Sequence, residues 1–265
     1  MPLISIVVNV DSRPENNTNE KMFNGVVNRD FLVDNVINKK KLFQGFDAEF
    51  IVFLDLHEEV SDETISHMRE LADTLIIRKH NKSFEDVDNF AAFNDLNYLQ
   101  ALFCARGKYI FHFDGDVSAF ASSPEPIKEY IALLEQYDFV SYPSLWSPLP
   151  VHDDSFQGIF WVSTRFFCCK RSTLDFGELM RCQLDYDYWR TKYPRARLCH
   201  WLEHILHNGK ENCVIYPKVD FARFILFTWE RYEKYILKRL NNQTFEEVNN
   251  WVCSKPFGYP NNLFI

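Results

Sequence analysis

The 265-residue chain has no Cys-x-x-Cys pair, and its seven cysteines are an odd number. Cys168 and Cys169 are adjacent, and neighbours in a strand point to opposite faces. A disulfide framework and a zinc ribbon are both disfavoured, so a reducing, cytoplasmic setting is expected. No apolar run approaches the ~18 residues of a membrane span. The opening MPLISIVVNVD has no basic leader and turns polar within ten residues, which fits a first strand better than a signal peptide. Positive charge is also short. A net charge of -8 argues against a duplex-wide phosphate-binding face, so no nucleic-acid partner is expected. An acidic protein still holds a diphosphate if a divalent cation sits between them. Internal repeats and low-complexity tracts are absent, and one domain over 1–265 is the economical reading.

Aromatic residues are plentiful at 16%, with 25 Phe, which implies a packed core plus stacking surfaces. The first half alternates strand and helix signals. Leu3 to Val10 is a continuous β-branched run, as in a strand covered on both faces. A helix is expected over 28–40, and a second buried strand over Glu49 to Leu54. Ser61 is placed to cap a helix reaching Ala72, with Asp62 and Glu63 in its first turn. Leu75 to Arg78 reads as a short strand. Residues 89–106 read as a helix with Phe93, Leu96, Leu99 and Phe103 on one stripe, ended by Gly107 as a C′ residue. Lys108 to Phe113 is the next strand. This order implies right-handed crossovers and a largely parallel α/β sheet, whose ligands bind beyond the carboxyl ends of the strands. Asp11, Asp55, Arg78 and Asp114 all fall at such ends.

The second half is more mixed. A helix is expected over 126–136, a strand over Phe139 to Tyr142, and a proline-rich loop over 143–158. Ile159 to Cys169 reads as a strand or hairpin, 199–208 as a helix and Val214 to Tyr216 as a strand. Residues 226–240 carry an amphipathic helical pattern that either covers the core or meets a partner or membrane surface. Thr244 and Glu247 then form a capping box. Trp146, Trp161 and Trp189 are candidates for stacking on a sugar or for core packing.

The segments ISIVVNVDSR (4–13), FIVFLD (50–55) and ARGKYIFHFDGDV (105–117) resemble the nucleotide-sugar half of GT-A glycosyltransferases, nearest to the family-2-like group. The resemblance covers roughly residues 3–120 and implies a Rossmann-like, mostly parallel sheet flanked by helices. The chain would then divide into a nucleotide-sugar half (1–120), an acceptor half (121–225) and a helical extension (226–265). By resemblance, Asp116 binds Mn²⁺ or Mg²⁺ directly, and Asp114 contacts the ribose or reaches the metal through water. Asp11 and Asp55 border the base and ribose, and Arg13 or Arg78 reaches the diphosphate. Asn94 or Asn97 contacts the donor, although the family's usual Arg-Asn pair is here Phe93-Asn94. The residue types suit the task, since hard cations take carboxylate oxygens and water. In an extended segment Asp114 and Asp116 would face one side, with Gly115 admitting a ligand close to the backbone. His112 shares that strand face and reads as a structural histidine.

An inverting transferase needs a carboxylate to deprotonate the acceptor hydroxyl of a glycan or lipid-linked acceptor. The family carries it in a late Glu-Asp pair, which this chain lacks. Glu203, the carboxylate of the 199–208 helix, is the candidate base, with Asp153 and Asp154 as alternatives. A retaining reaction would need none. His200 to His204 also spells His-x-x-Glu-His, a zinc-hydrolase pattern, but that reading leaves the α/β half and Asp-Gly-Asp unexplained. The remaining alternatives are a degenerate nucleotide- or glycan-binding domain and a sugar-nucleotide pyrophosphorylase. The latter's glycine-rich basic loop is missing here.

Overall fold

A computed structural model describes residues 1–11, 29–56, 60–79, 99–114, 118–121, 123–141, 156–158, 166–174, 214–217, 224–227, 242, 244 and 246–247. The strands are β1 (Ile4–Asp11), β2 (Ala48–Leu56), β3 (Thr74–Lys79), β4 (Tyr109–Asp114), β5 (Ser118–Ala121), β6 (Phe139–Ser141), β7 (Phe156–Gly158), β8 (Phe166–Lys170), β9 (Val214–Pro217) and β10 (Phe224–Phe227). The helices are α1 (Arg29–Leu42), α2 (Asp62–Leu71) and α3 (Glu125–Gln136), and residues 99–104 are also helical. No described helix is long and apolar enough to cross a membrane.

Eight strands form one sheet in the order β3-β2-β1-β4-β8-β6-β9-β7. β1, β2, β3, β4, β6 and β9 run one way, while β8 and β7 run the other. The architecture is the expected α/β class with a Rossmann-like, mostly parallel central sheet. Its chain order turns at β1: the connections through α1 and α2 step outward to β2 and β3, and β4 then returns to the opposite side of β1.

β1 is apolar throughout because both its faces are covered. Ile4, Ile6, Val8 and Val10 face a cluster with Val36 of α1, Met68 of α2, and Ile127, Tyr130 and Leu134 of α3. Phe43, Phe111, Phe113 and Phe166 extend that layer, with Phe43 edge-on to Phe111 at 5.1 Å between centroids. Each fully buried ring of this kind contributes on the order of 1.5–3 kcal/mol of burial free energy. Val7, Ile51, Ile110, Phe167 and Cys169 occupy the other face and are also fully buried.

The amino-terminal edge of that second face is closed by a polar latch. Glu49 Oε1 accepts from the Ser5 hydroxyl (2.5 Å) and the Arg106 N–H (2.6 Å), and Glu49 Oε2 meets the Arg106 guanidinium at 2.6 Å. Ser5 Oγ in turn accepts from the Gly107 N–H at 2.7 Å. Gly107 lies so close to β1 that a Cβ there would stand 2.5 Å from the Ser5 nitrogen. This corrects its expected role: the helix ends at 104, and Gly107 is required by close backbone approach rather than as a C′ residue. Tyr109, two residues on, is buried and donates its hydroxyl to Glu135. The Ala-Arg-Gly-Lys-Tyr run thus fastens β4 to β1 and α3, at the end of the sheet opposite Asp114.

Three further expectations change. Phe103 is exposed, so the buried side of 99–104 is made by Leu99, Ala101 and Leu102. Residues 156–158, assigned to the proline-rich loop, form β7 against β9. Residues 226–227, assigned to the late helix, belong to β10, which pairs antiparallel with β5. In both cases a distant strand supplies hydrogen bonds that local pattern does not reveal. The expected 199–208 helix, the remaining 143–155 and 228–240 segments, and 159–165 lie outside the described residues.

Candidate functional site

The carboxyl end of β4 sets Asp114 beside Asn9 of β1, to which it is paired in register. Two residues further along β1, Asp11 pairs with Asp55 of β2, and Asp55 with Arg78 of β3. Adjacent strands lie about 4.8 Å apart, so these four polar positions span roughly 14 Å of the sheet edge. By residue type the four positions are three Asp and one Arg, a negative formal balance in the sequence. An anionic ligand would need a cation to settle there.

The place matters as much as the residues. β1 and β4 are the pair at which the chain order reverses, and open α/β sheets bind ligands in the crevice outside such a switch point. Asp114 is half-buried there, whereas the five preceding β4 residues are buried.

Behind Asp114, His112 is fully buried, and its ring stacks on Phe167 at 4.7 Å. Asn9 Nδ2 lies 2.8 Å from His112 Nε2. With the amide donating, Nε2 is the acceptor and the proton sits on Nδ1. Asn9 Oδ1 is then a buried oxygen with no hydrogen-bond partner among the described residues. Sequence reasoning passed over Asn9. The signal was available: a polar residue inside an otherwise apolar two-face strand needs a partner.

α1 supplies another contact absent from the sequence reading. Asn38 is buried, and its side-chain amide makes two hydrogen bonds, both 2.9 Å, to the backbone of Ala119 in β5. Its neighbour Lys39 is fully buried, with the ammonium 5.9 Å from the centroid of the Phe113 ring.

The structure therefore brings Asp11, Asp55, Arg78 and Asp114 to one edge. Arg13, Asn94, Asn97, Asp116, Asp153, Asp154, Glu203, His200, His204, Trp146, Trp161 and Trp189 lie outside the described residues. Among the described residues no group of three or more His, Cys, Asp or Glu could hold a metal. The donors present at the site are nonetheless hard oxygens, the Asp114 carboxylate and the unpartnered Asn9 Oδ1. Such a set fits a Mg²⁺-like ion that uses one or two carboxylates and completes its shell with water and phosphate oxygens.

No family model and no curated protein matches the sequence. Among solved structures, the chain is similar to HddC from Yersinia pseudotuberculosis (10% identity, TM-score 0.49), covering 90% of this chain and 99% of that one. It is similar to a cytidylyltransferase from Leptospira borgpetersenii (12% identity, TM-score 0.47, 96% and 94% covered). It is also similar to the galactosyltransferase LgtC in complex with donor and acceptor sugar analogues (11% identity, TM-score 0.47, 80% and 72% covered).

Proposed function

We propose that the protein is a metal-dependent glycosyltransferase that moves a sugar from a nucleoside-diphospho-sugar to a hydroxyl of a glycan or lipid-linked acceptor. The observation that carries this reading is the position of Asp114 at the carboxyl end of β4, next to β1 at the point where the strand order reverses. The Asp-Gly-Asp signature and the ordered likeness of residues 3–120 to GT-A enzymes support it from the sequence side.

Each residue has a task in this reading. Asp114 and Asp116 hold Mn²⁺ or Mg²⁺, which when bound offsets the charge that builds on the departing diphosphate. Asp55 and Asp11 accept hydrogen bonds from the base and ribose, and Arg78 or Arg13 meets the phosphates. Their spacing along the edge orients an elongated donor across the switch point. Glu203, or failing it Asp153 or Asp154, takes the proton from the acceptor hydroxyl in an inverting transfer.

The decisive experiment screens UDP-, GDP-, CDP- and dTDP-sugars for slow hydrolysis with Mn²⁺ or Mg²⁺. One donor should be hydrolysed, Asp116→Ala should lose at least a hundredfold of that rate (about 2.7 kcal/mol of barrier), and Glu203→Gln should bind donor yet transfer poorly. If no donor is bound or hydrolysed, the transferase reading fails. The missing Glu-Asp pair favours one second reading, a nucleotide- or glycan-binding domain without turnover. Donor binding with no hydrolysis or transfer under any metal would select it.

A further inference from the structure

The geometry points to Asn9 as a ligand-binding residue whose amide oxygen accepts a hydrogen bond from an O–H group of the bound ligand, either a sugar hydroxyl of the nucleoside or a water in the cation's shell. The inference rests on the proposed reading of the Asp114 edge as a nucleoside-diphosphate site. Asn9 interrupts the apolar run of β1 between Val8 and Val10, both buried. It is itself partly exposed, and it stands in register with Asp114 where the strand order reverses.

One end of its amide is anchored and the other is left over. Nδ2 lies 2.8 Å from His112 Nε2. The His112 ring is stacked on Phe167 at 4.7 Å and 14°, and Phe167 on Phe139 at 5.0 Å and 20°. Rings from β4, β8 and β6 thus keep the imidazole from turning. Because an amide is planar, anchoring Nδ2 also sets the direction of Oδ1. That oxygen is buried and has no hydrogen-bond partner among the described residues. A buried acceptor left unpaired is a cost to the folded chain, which an arriving donor removes. In the proposed reading the base lies at Asp11 and Asp55, while ribose and cation lie at Asp114, beside Asn9. Diphosphate oxygens only accept, so the proton comes from a sugar hydroxyl or from a cation-bound water. A neutral amide supplies the acceptor without a fourth carboxylate, which would repel the diphosphate.

The test titrates the full chain calorimetrically, at saturating Mg²⁺, with the nucleoside diphosphate it binds and with analogues lacking one sugar hydroxyl at a time. Mn²⁺ alone is followed by the electron paramagnetic resonance signal of the free ion. Asn9→Leu is expected to weaken the nucleoside diphosphate about tenfold, the loss of one good hydrogen bond. If a sugar hydroxyl is the donor, its removal costs the parent about tenfold and Asn9→Leu nothing. If a cation-bound water is the donor, Asn9→Leu loses about tenfold for Mn²⁺ alone and still discriminates between the analogues. Asn9→Asp keeps an acceptor oxygen and should keep whichever of these Asn9→Leu loses. Asn9→Ala removes the same oxygen without adding bulk, and it replaces Asn9→Leu if that variant does not fold. Parent-like affinities for nucleoside diphosphate and Mn²⁺, or an equal loss for every ligand and analogue, overturn the role of Asn9 alone. Absence of nucleoside-diphosphate binding by the unsubstituted protein, with or without metal, overturns the reading of the site and this inference with it.

Discussion

Glu49 is 5% exposed, a position that would ordinarily push a carboxyl up towards its neutral form. Burial does act in that direction, but the Ser5 hydroxyl and the Arg106 N–H and guanidinium outweigh it and hold the group below the ordinary carboxylate range. A depressed folded-state value means that the stabilisation is complete above the unfolded value, about 4.3, and is lost as pH falls through the folded one. Arg106 is two-thirds exposed, so its ion-pair share is small. Glu49→Gln is therefore expected to cost about 1.5–3 kcal/mol at neutral pH, from charge-assisted hydrogen bonds. In urea titrations the gap between parent and variant should close below the ordinary carboxylate range. A gap that persists unchanged at acid pH would show that the charge on Glu49 is not what stabilises the latch. Neither Glu49 nor Asn9 is legible as a paired residue in the sequence. Their partners stand 57 and 103 positions away.

At the scale of elements, what depends on neighbouring residues could be read directly. Ser61 accepts from the Thr64 N–H at 3.2 Å and begins α2 where its cap signature places it. Thr244 and Glu247 exchange backbone and side-chain hydrogen bonds as a capping box. Ser61→Ala should cost about 1 kcal/mol, visible as a lower urea midpoint with an unchanged slope; no shift would mean α2 is held by packing through Met68 alone. Residues 156–158 and 226–227 prove to be strand rather than loop and helix because nothing local favours a strand there. β7 exists through β9, and β10 through β5. Gly107 was misread for the same reason, since the backbone of β1 that forbids a Cβ there is a hundred residues away in sequence.

For the whole molecule, a site at the sheet edge couples ligand binding to global stability. If Mn²⁺ and the leaving nucleoside diphosphate bind only the folded chain, a hundredfold excess over the dissociation constant adds about 2.7 kcal/mol. At roughly 2–4 °C per kcal/mol for a chain of this size, the unfolding midpoint should rise by about 5–10 °C. Chelation should reverse the rise, and Asp116→Ala should not show it. A midpoint indifferent to both ligands would remove the site from the edge of β1 and β4. The sequence by itself determined the α/β class, the strands of the first half, and the presence of polar residues at their carboxyl ends. These follow from residue period and from caps that act over a few positions. Only the tertiary structure decided that β4 returns beside β1, that Asp11, Asp55 and Arg78 share one row with Asp114 two residues behind, and that Asn38 bonds the backbone of β5. Strand order and register are set by long-range burial and pairing, which the local pattern permits in more than one arrangement.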